Sequence, residues 1–322
     1  MFGDEILVDK AKNGKIRPWK EKKLANLTYA EYLQILEIKK AFRVKKCGNL
    51  LTFTKSENGL KLYQTWFCKS RLCPLCAWRY AMKNSYELSS ILDVFYKRYP
   101  KSRFLFLTLT EENAKQGELK ETLTKMNRSL YNLFKYKKVQ KDLLGYVRST
   151  EITVNRKEKS FHQHIHILLA VSPTYFKKGH YLSQDNWSKL WQKARKLDYK
   201  PVVNIKTVSD SKKDKSLVAS AKEVAKYQVK SSDYITEDVE SDLEFLKELE
   251  KALFHKRQLS FGGEFKAIRK ELKLEEHEDD LVHVDGENTS AAETEKIIFL
   301  WNNEVKNYVN WKIGRASCRE RV

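Results

Sequence analysis

Residues 161 to 169 read Phe-His-Gln-His-Ile-His-Ile-Leu-Leu, with histidine at three alternate positions of an otherwise apolar run. In a β-strand residues i, i+2 and i+4 share a face, so His162, His164 and His166 point the same way. Phe161, Ile165 and Ile167 then occupy the opposite face, where they can bury. Imidazoles aligned on one face of a core strand suggest a metal, because unpaired buried polar groups are costly. Taken alone, the segment also fits an edge strand with a polar face.

The preceding stretch decides between them. Leu144 to Val154 reads as a second strand and Asn155 to Ser160 as the turn. Pairing Val154 with Phe161 sets Thr153 opposite His162, Glu151 opposite His164 and Ser149 opposite His166. Glu151 then projects beside the middle histidine. Two imidazoles and one carboxylate with open positions suit a catalytic Mg²⁺, Mn²⁺ or Zn²⁺ better than a closed structural site. His162 and His166 lie about 13 Å apart along a strand, so both reach one ion only with strain. The expected ligands are Glu151, His164 and His166, with His162 in reserve or as a substrate contact.

Downstream, Ala221 to Tyr234 reads as a helix. Glu223 lies four residues before Tyr227 and Lys230 three after, so all three share a helical face. The set suits phosphoryl transfer. A phenol of pKa about 10 is a poor nucleophile, and a metal that polarises the phosphate compensates. Lys230 can stabilise phosphate charge, and Glu223 can activate water for a hydrolytic second step. The same spacing also fits ordinary surface pairing.

Phe104 to Thr110, the His164-Ile-His166 strand and Tyr227-Gln-Val-Lys230 occur in the order of the three motifs of HUH endonucleases. From about Arg17 to Trp311 the chain resembles the rolling-circle replication initiators of small plasmids from Gram-positive bacteria. Their single catalytic tyrosine follows a glutamate by four residues, matched here by Glu223. The resemblance implies a metal-dependent nick at the plasmid origin, on single-stranded or cruciform DNA. Tyr227 would keep a 5′-phosphotyrosine link and leave a 3′-OH for host polymerase, and water activated by Glu223 would end the cycle. With no Walker A motif, any helicase must be a separate host protein. An HUH relaxase or transposase uses the same site on another substrate. A non-catalytic origin-binding regulator is the rival of a different class, and it would need none of Glu151, His164, His166, Glu223 and Tyr227.

Four of the five cysteines cluster, as Cys47 and then Cys68-Lys-Ser-Arg-Leu-Cys73-Pro-Leu-Cys76. A C-x₂-C pair with two further cysteines upstream fits a structural Zn²⁺, and the initiator family shows the same pattern. The first residues lack a basic segment followed by a long apolar one, so the reading is cytoplasmic, where disulfides are disfavoured. Lys69, Arg71 and Arg79 around this knuckle are expected to help it touch DNA phosphate. Basic clusters such as Lys20 to Lys23 and Lys45-Lys46 are solvated faces or lie on DNA.

Lysine and arginine number 62 against 42 acids, a formal charge of +20. That excess suits a polyanion, and no apolar stretch approaches the roughly 20 residues of a spanning helix. Ile313 to Val322 look like translated sequencing-adapter DNA; without their three arginines and one glutamate the charge is +18. The expected fold is α+β, a central, mostly antiparallel sheet flanked by helices as in HUH nucleases. Its expected parts are a helical region with the cysteine knuckle (1–98), a nicking domain (99–235), a helical carboxyl-terminal extension (236–312) and the artefact (313–322). Gly262-Gly263 lacks the P-loop pattern and reads as a turn.

Overall fold

The computed structural model describes residues 2–11, 13–56, 59–208, 216–226, 228–276, 280–284 and 295–311. In chain order the elements begin with β1 (Phe2–Ile6), α1 (Trp19–Ile35), α2 (Ala41–Lys45), β2 (Leu50–Ser56), β3 (Gly59–Thr65) and α3 (Pro74–Arg98). There follow β4 (Arg103–Thr110), β5 (Ala114–Lys115), α4 (Leu119–Leu133), α5 (Lys137–Gln140), β6 (Leu143–Asn155) and β7 (Ser160–Val171). The remainder are α6 (Gln184–Arg195), β8 (Val203–Val208), α7 (Ser216–Ala225), α8 (Val239–Leu253), β9 (Leu259–Gly263), α9 (Glu264–Glu271), β10 (Lys296–Asn302) and β11 (Asn307–Trp311). Short 3₁₀ turns lie at Pro173–Phe176 and Ser231–Asp233. The chain forms two compact units, Met1–Arg79 with Asp280–Val322, and Tyr80–Asp279.

The second unit is built on an antiparallel sheet of order β8-β4-β7-β6-β9, with β5 also paired to β7. The histidine strand β7 lies between β4 and β6, away from either edge. Its carboxyl half is apolar without interruption because both of its faces are covered. Ile165, Ile167 and Leu169 pack with Met126 and Leu130 of α4 and Trp187 and Trp191 of α6. Leu168 and Ala170 pack with Leu88 and Phe95 of α3, Val224 of α7 and Phe265 of α9. By strand alternation His162, His164 and His166 continue the face that carries Leu168 and Ala170. Helix α4 supplies its apolar stripe at three- and four-residue spacing, Leu119, Leu123, Met126, Leu130 and Leu133. Helix α6 starts on a capping box in which Ser183 and Asn186 each satisfy the other's backbone N–H.

Gly262 and Gly263 end a strand. β9 pairs with β6 there, and Gly263 has φ +57°. A Cβ on Gly263 would sit 2.3 Å from the Leu144 carbonyl oxygen, so only glycine lets the backbones approach.

In the first unit a five-stranded sheet runs β1-β11-β10-β2-β3. The region after residue 236, expected to be helical, holds α8 and α9 but ends in the hairpin β10–β11. Antiparallel pairing of β10 with β2 places that hairpin in the same sheet as the amino-terminal strands. Edge-to-face ring contacts hold this core: Phe53 packs on Trp19 and on Phe299, each with centroids 6.0 Å apart. The fold is α+β, with its strand pairs antiparallel. Among the described residues no helix is long and apolar enough to cross a membrane.

Candidate functional site

The β6–β7 hairpin has the register read from its sequence: Thr153 pairs with His162, Glu151 with His164 and Ser149 with His166. Glu151 Oε2 therefore lies 3.2 Å from His164 Nε2 and 3.0 Å from His166 Nε2. Ligand atoms about 2.1 Å from one ion stand roughly 3.0 Å apart in an octahedron and 3.4 Å in a tetrahedron, so this donor set fits a divalent cation. The side-chain hydrogen bonds with His164 and His166 hold the Glu151 carboxyl far below the ordinary carboxylate range, against the opposing effect of burial. Glu151 is thus a standing negative charge.

Strand β4 orients the site from the other side. Thr108 pairs with His166 in the sheet, and its Oγ1 lies 3.1 Å from His166 Nδ1. A hydrogen bond to the outer ring nitrogen fixes the tautomer and leaves Nε2 for the shared side. The Phe106 ring stacks on His166 with centroids 5.4 Å apart. His164 Nδ1 is buried and has no hydrogen-bond partner among the described residues. His162 stands apart from the donor set: it is exposed, and its Nδ1 lies 2.9 Å from Asn113 Oδ1. Partial desolvation of its ring and the neighbouring His164 push its pKa down.

The structure changes the reading of residues 221–234. Helix α7 stops at Ala225, and Lys230 is exposed and extended, with φ −74° and ψ 139°. The helix therefore does not extend to Lys230, and the expected helical face joining Glu223 to Lys230 does not form. Two carbonyls that a continuing helix needs are engaged elsewhere: Gln258 Nε2 donates to Lys226 O, and Ile152 N donates to Gln228 O at 2.8 Å. The second bond ties the chain to β6 next to Glu151. Glu223 is ion-paired to Lys226, and Tyr227 lies outside the described residues. One carboxylate went unnoticed in the sequence. Asp233 is half-buried, its Oδ2 has no partner among the described residues, and burial raises its pKa, with Glu151 adding repulsion.

The four cysteines of the first unit converge although β2 and β3 separate Cys47 from the rest. Sγ of Cys47 lies 3.5 Å from that of Cys76 and 3.8 Å from that of Cys73, and Cys68 Sγ lies 3.6 Å from Cys76 Sγ. These are far beyond a disulfide bond of about 2.05 Å. They match the edge of roughly 3.8 Å that a tetrahedron with Zn–S of about 2.3 Å requires. All four are buried and free, whereas Cys318 lies outside the described residues. Hydrogen bonds from the other three cysteines push Cys73 well down despite burial, while burial and the neighbouring thiols push Cys76 well up. Cys47 is likewise pushed up by its hydrogen bonds with Cys68 and Cys73, so a metal held by four thiolates would have to displace the protons that remain.

Two neighbours complete the cluster, and neither was recognised from sequence. Asn26 Nδ2 donates to Cys73 Sγ at 3.3 Å and to Val44 O at 3.0 Å. Lys23, expected on a solvated or DNA-facing cluster, is 0% exposed. It lies inside because its ammonium has acceptors there: Asn26 Oδ1 at 3.0 Å and the carbonyls of Lys45 and Cys47 at 2.8 Å each. Burial lowers its pKa to about 8, opposed by the four thiols. Arg79 is likewise inside, donating to Leu281 O and Val282 O at 2.8 Å, so it does not reach DNA phosphate as expected.

A family model described as "Replication protein" matches residues 59–309, most of the chain and both donor clusters except Cys47. The chain belongs to the replication protein family. A "Protein rep" of Lentilactobacillus hilgardii is 53% identical over 312 residues, covering 95% of this chain and 99% of that protein. That of Lactiplantibacillus plantarum is 51% identical over 315 residues, with 95% and 99% covered. A third, from Streptococcus pneumoniae, is 42% identical over 311 residues, with 95% of each chain covered. No solved structure matches. In this replication protein, Glu151, His164 and His166 can hold a divalent ion and the four cysteines a structural one.

Proposed function

We propose that the chain is a plasmid replication initiator that binds its origin and nicks one strand through Tyr227. The observation that carries this reading is the Glu151–His164–His166 set on adjacent strands of a replication protein. A divalent ion held there, Mg²⁺ or Mn²⁺, would neutralise phosphate charge and polarise the scissile phosphodiester.

The chain's own residues supply the rest. Tyr227 Oη bonds to phosphorus, the P–O3′ bond breaks, the 3′ oxygen gains a proton and the phenol proton passes to solvent. A 5′-phosphotyrosine link and a primer 3′-OH result, which host polymerase would extend while a separate helicase opens the duplex. Lys230, exposed on the segment after α7, balances phosphate charge. His162, held by Asn113 at the open end of the histidine row, contacts the strand. Thr108 keeps His166 aligned. Glu223 activates water for the terminating hydrolysis, which requires its ion pair with Lys226 to open.

Cleavage of a labelled single-stranded origin oligonucleotide tests the metal requirement. Cutting should vanish with EDTA, return with Mn²⁺, and be absent from His164→Ala. Cutting by His164→Ala at the wild-type rate would refute the assignment.

A further inference from the structure

The first unit carries an open groove of about 590 Å³ between the end of α1, the following turn and α2. Its lining includes the apolar Ile38, Ala41 and Phe42, the lysines Lys39, Lys45 and Lys46, and one carboxylate, Glu37. The amides of Gln34 and Asn49 also line it. From Lys39 to Lys46 five of eight residues are basic and none is acidic. Phe42 is 69% exposed, with the Lys46 ammonium 4.3 Å from its ring centroid. A ring so exposed adds little to the core; beside cations it is a stacking platform.

The groove is also held in shape. Asn26 and Lys23 fix the carbonyls of Val44, Lys45 and Cys47, so the backbone of α2 is tied to the four-thiol cluster. A site on braced backbone keeps its geometry when side chains move. The volume is that of a small-ligand pocket. Its chemistry suits one ligand class. A flat base can stack on Phe42, its edge can meet Gln34 or Asn49, and the flanking phosphates can meet the lysines. Duplex phosphates alone would use the lysines and leave the ring and amides idle.

We propose that this groove binds an unpaired nucleotide of single-stranded DNA, with its base on Phe42 and its phosphates on Lys39, Lys45 and Lys46. The inference rests on the reading that the chain acts on single-stranded origin DNA, and it names a region that holds that strand.

The test uses the full chain and fluorescence anisotropy with a labelled origin single strand and its duplex, across a salt series. Three variants are compared with wild type: Phe42→Ala, the triple Lys39→Ala/Lys45→Ala/Lys46→Ala, and the charge-matched triple Lys137→Ala/Lys138→Ala/Lys141→Ala, whose lysines are exposed on and beside α5. Phe42→Ala should weaken single-strand binding by about 5-fold or more and leave duplex binding unchanged. The groove triple should lower the single-strand salt slope by about 2, at roughly 0.7 per phosphate contact. The charge-matched triple should change it less. Since Phe42 and these lysines are surface side chains, circular dichroism should report an intact fold.

Wild-type affinity in Phe42→Ala, or equal losses in the two triples, would overturn the proposal. If wild type also cuts the strand, that result refutes the groove and leaves the nickase reading standing. If wild type neither binds nor cuts, both fall together.

Discussion

Replacing Lys23 by methionine separates the role of a charge from that of a tether. In the native chain the ammonium is enclosed, with three acceptors, two of them backbone carbonyls. Among the described residues the groups that favour its charged form are the four cysteines. A metal held by four thiolates leaves a net negative charge inside the first unit, and Lys23 is the cation beside it. Losing such an outer-shell partner costs about 10- to 100-fold in metal affinity, or roughly 1.4–2.7 kcal/mol. The metal-free protein should respond differently. There the variant sheds a buried ammonium, a penalty of about several kcal/mol, but strands three oxygen acceptors, the carbonyls of Lys45 and Cys47 and Asn26 Oδ1, at about 1–3 kcal/mol each. These oppose, so metal-free stability should move little. Zinc affinity is read by competition with a chromophoric chelator, and stability by urea unfolding of zinc-loaded and metal-free full chain. Zinc affinity within twofold of wild type would refute the reasoning, as would equal losses in the loaded and metal-free forms.

Three further outcomes follow from particular contacts. Thr108→Val keeps the shape of β4 but removes the partner of His166 Nδ1; Mn²⁺ affinity by calorimetry should fall about 10-fold with the fold intact, and an unchanged affinity contradicts the orienting role. Gly263→Ala drives a Cβ against the Leu144 carbonyl at positive φ; a loss of more than about 2 kcal/mol is expected in denaturant melts, and a loss under about 0.5 kcal/mol would show that β6 and β9 can part without cost. Glu223→Ala should make the first cut normally and fail to release the strand by hydrolysis; a variant dead at the first cut would place Glu223 in the nicking step itself.

The hairpin that carries the candidate metal site was legible because its information is local. Alternation fixed the faces of β7, and one turn fixed which residue of β6 meets which of β7. The C-x₂-C pair is likewise local. The remainder depended on partners distant in sequence. Helix α7 ends early because Gln258 and Ile152 claim the carbonyls of Lys226 and Gln228, and no pattern in 221–234 records that. Lys23 and Arg79 resemble surface cations until the carbonyls of Lys45, Cys47, Leu281 and Val282 are brought to them. Thr108 reads as strand filler because its tie to His166 exists only once β4 lies beside β7.

The central claim is tested most directly by looking for the covalent intermediate. Wild type and Tyr227→Phe are incubated with Mn²⁺ and an oligonucleotide spanning the cognate nick site, labelled 3′ of the cut, and resolved on a denaturing gel. The account predicts a labelled protein adduct in wild type only, mapped by mass spectrometry to a phosphotyrosine at residue 227. An adduct that persists in Tyr227→Phe, or wild-type cleavage that leaves no protein–DNA link, would contradict it.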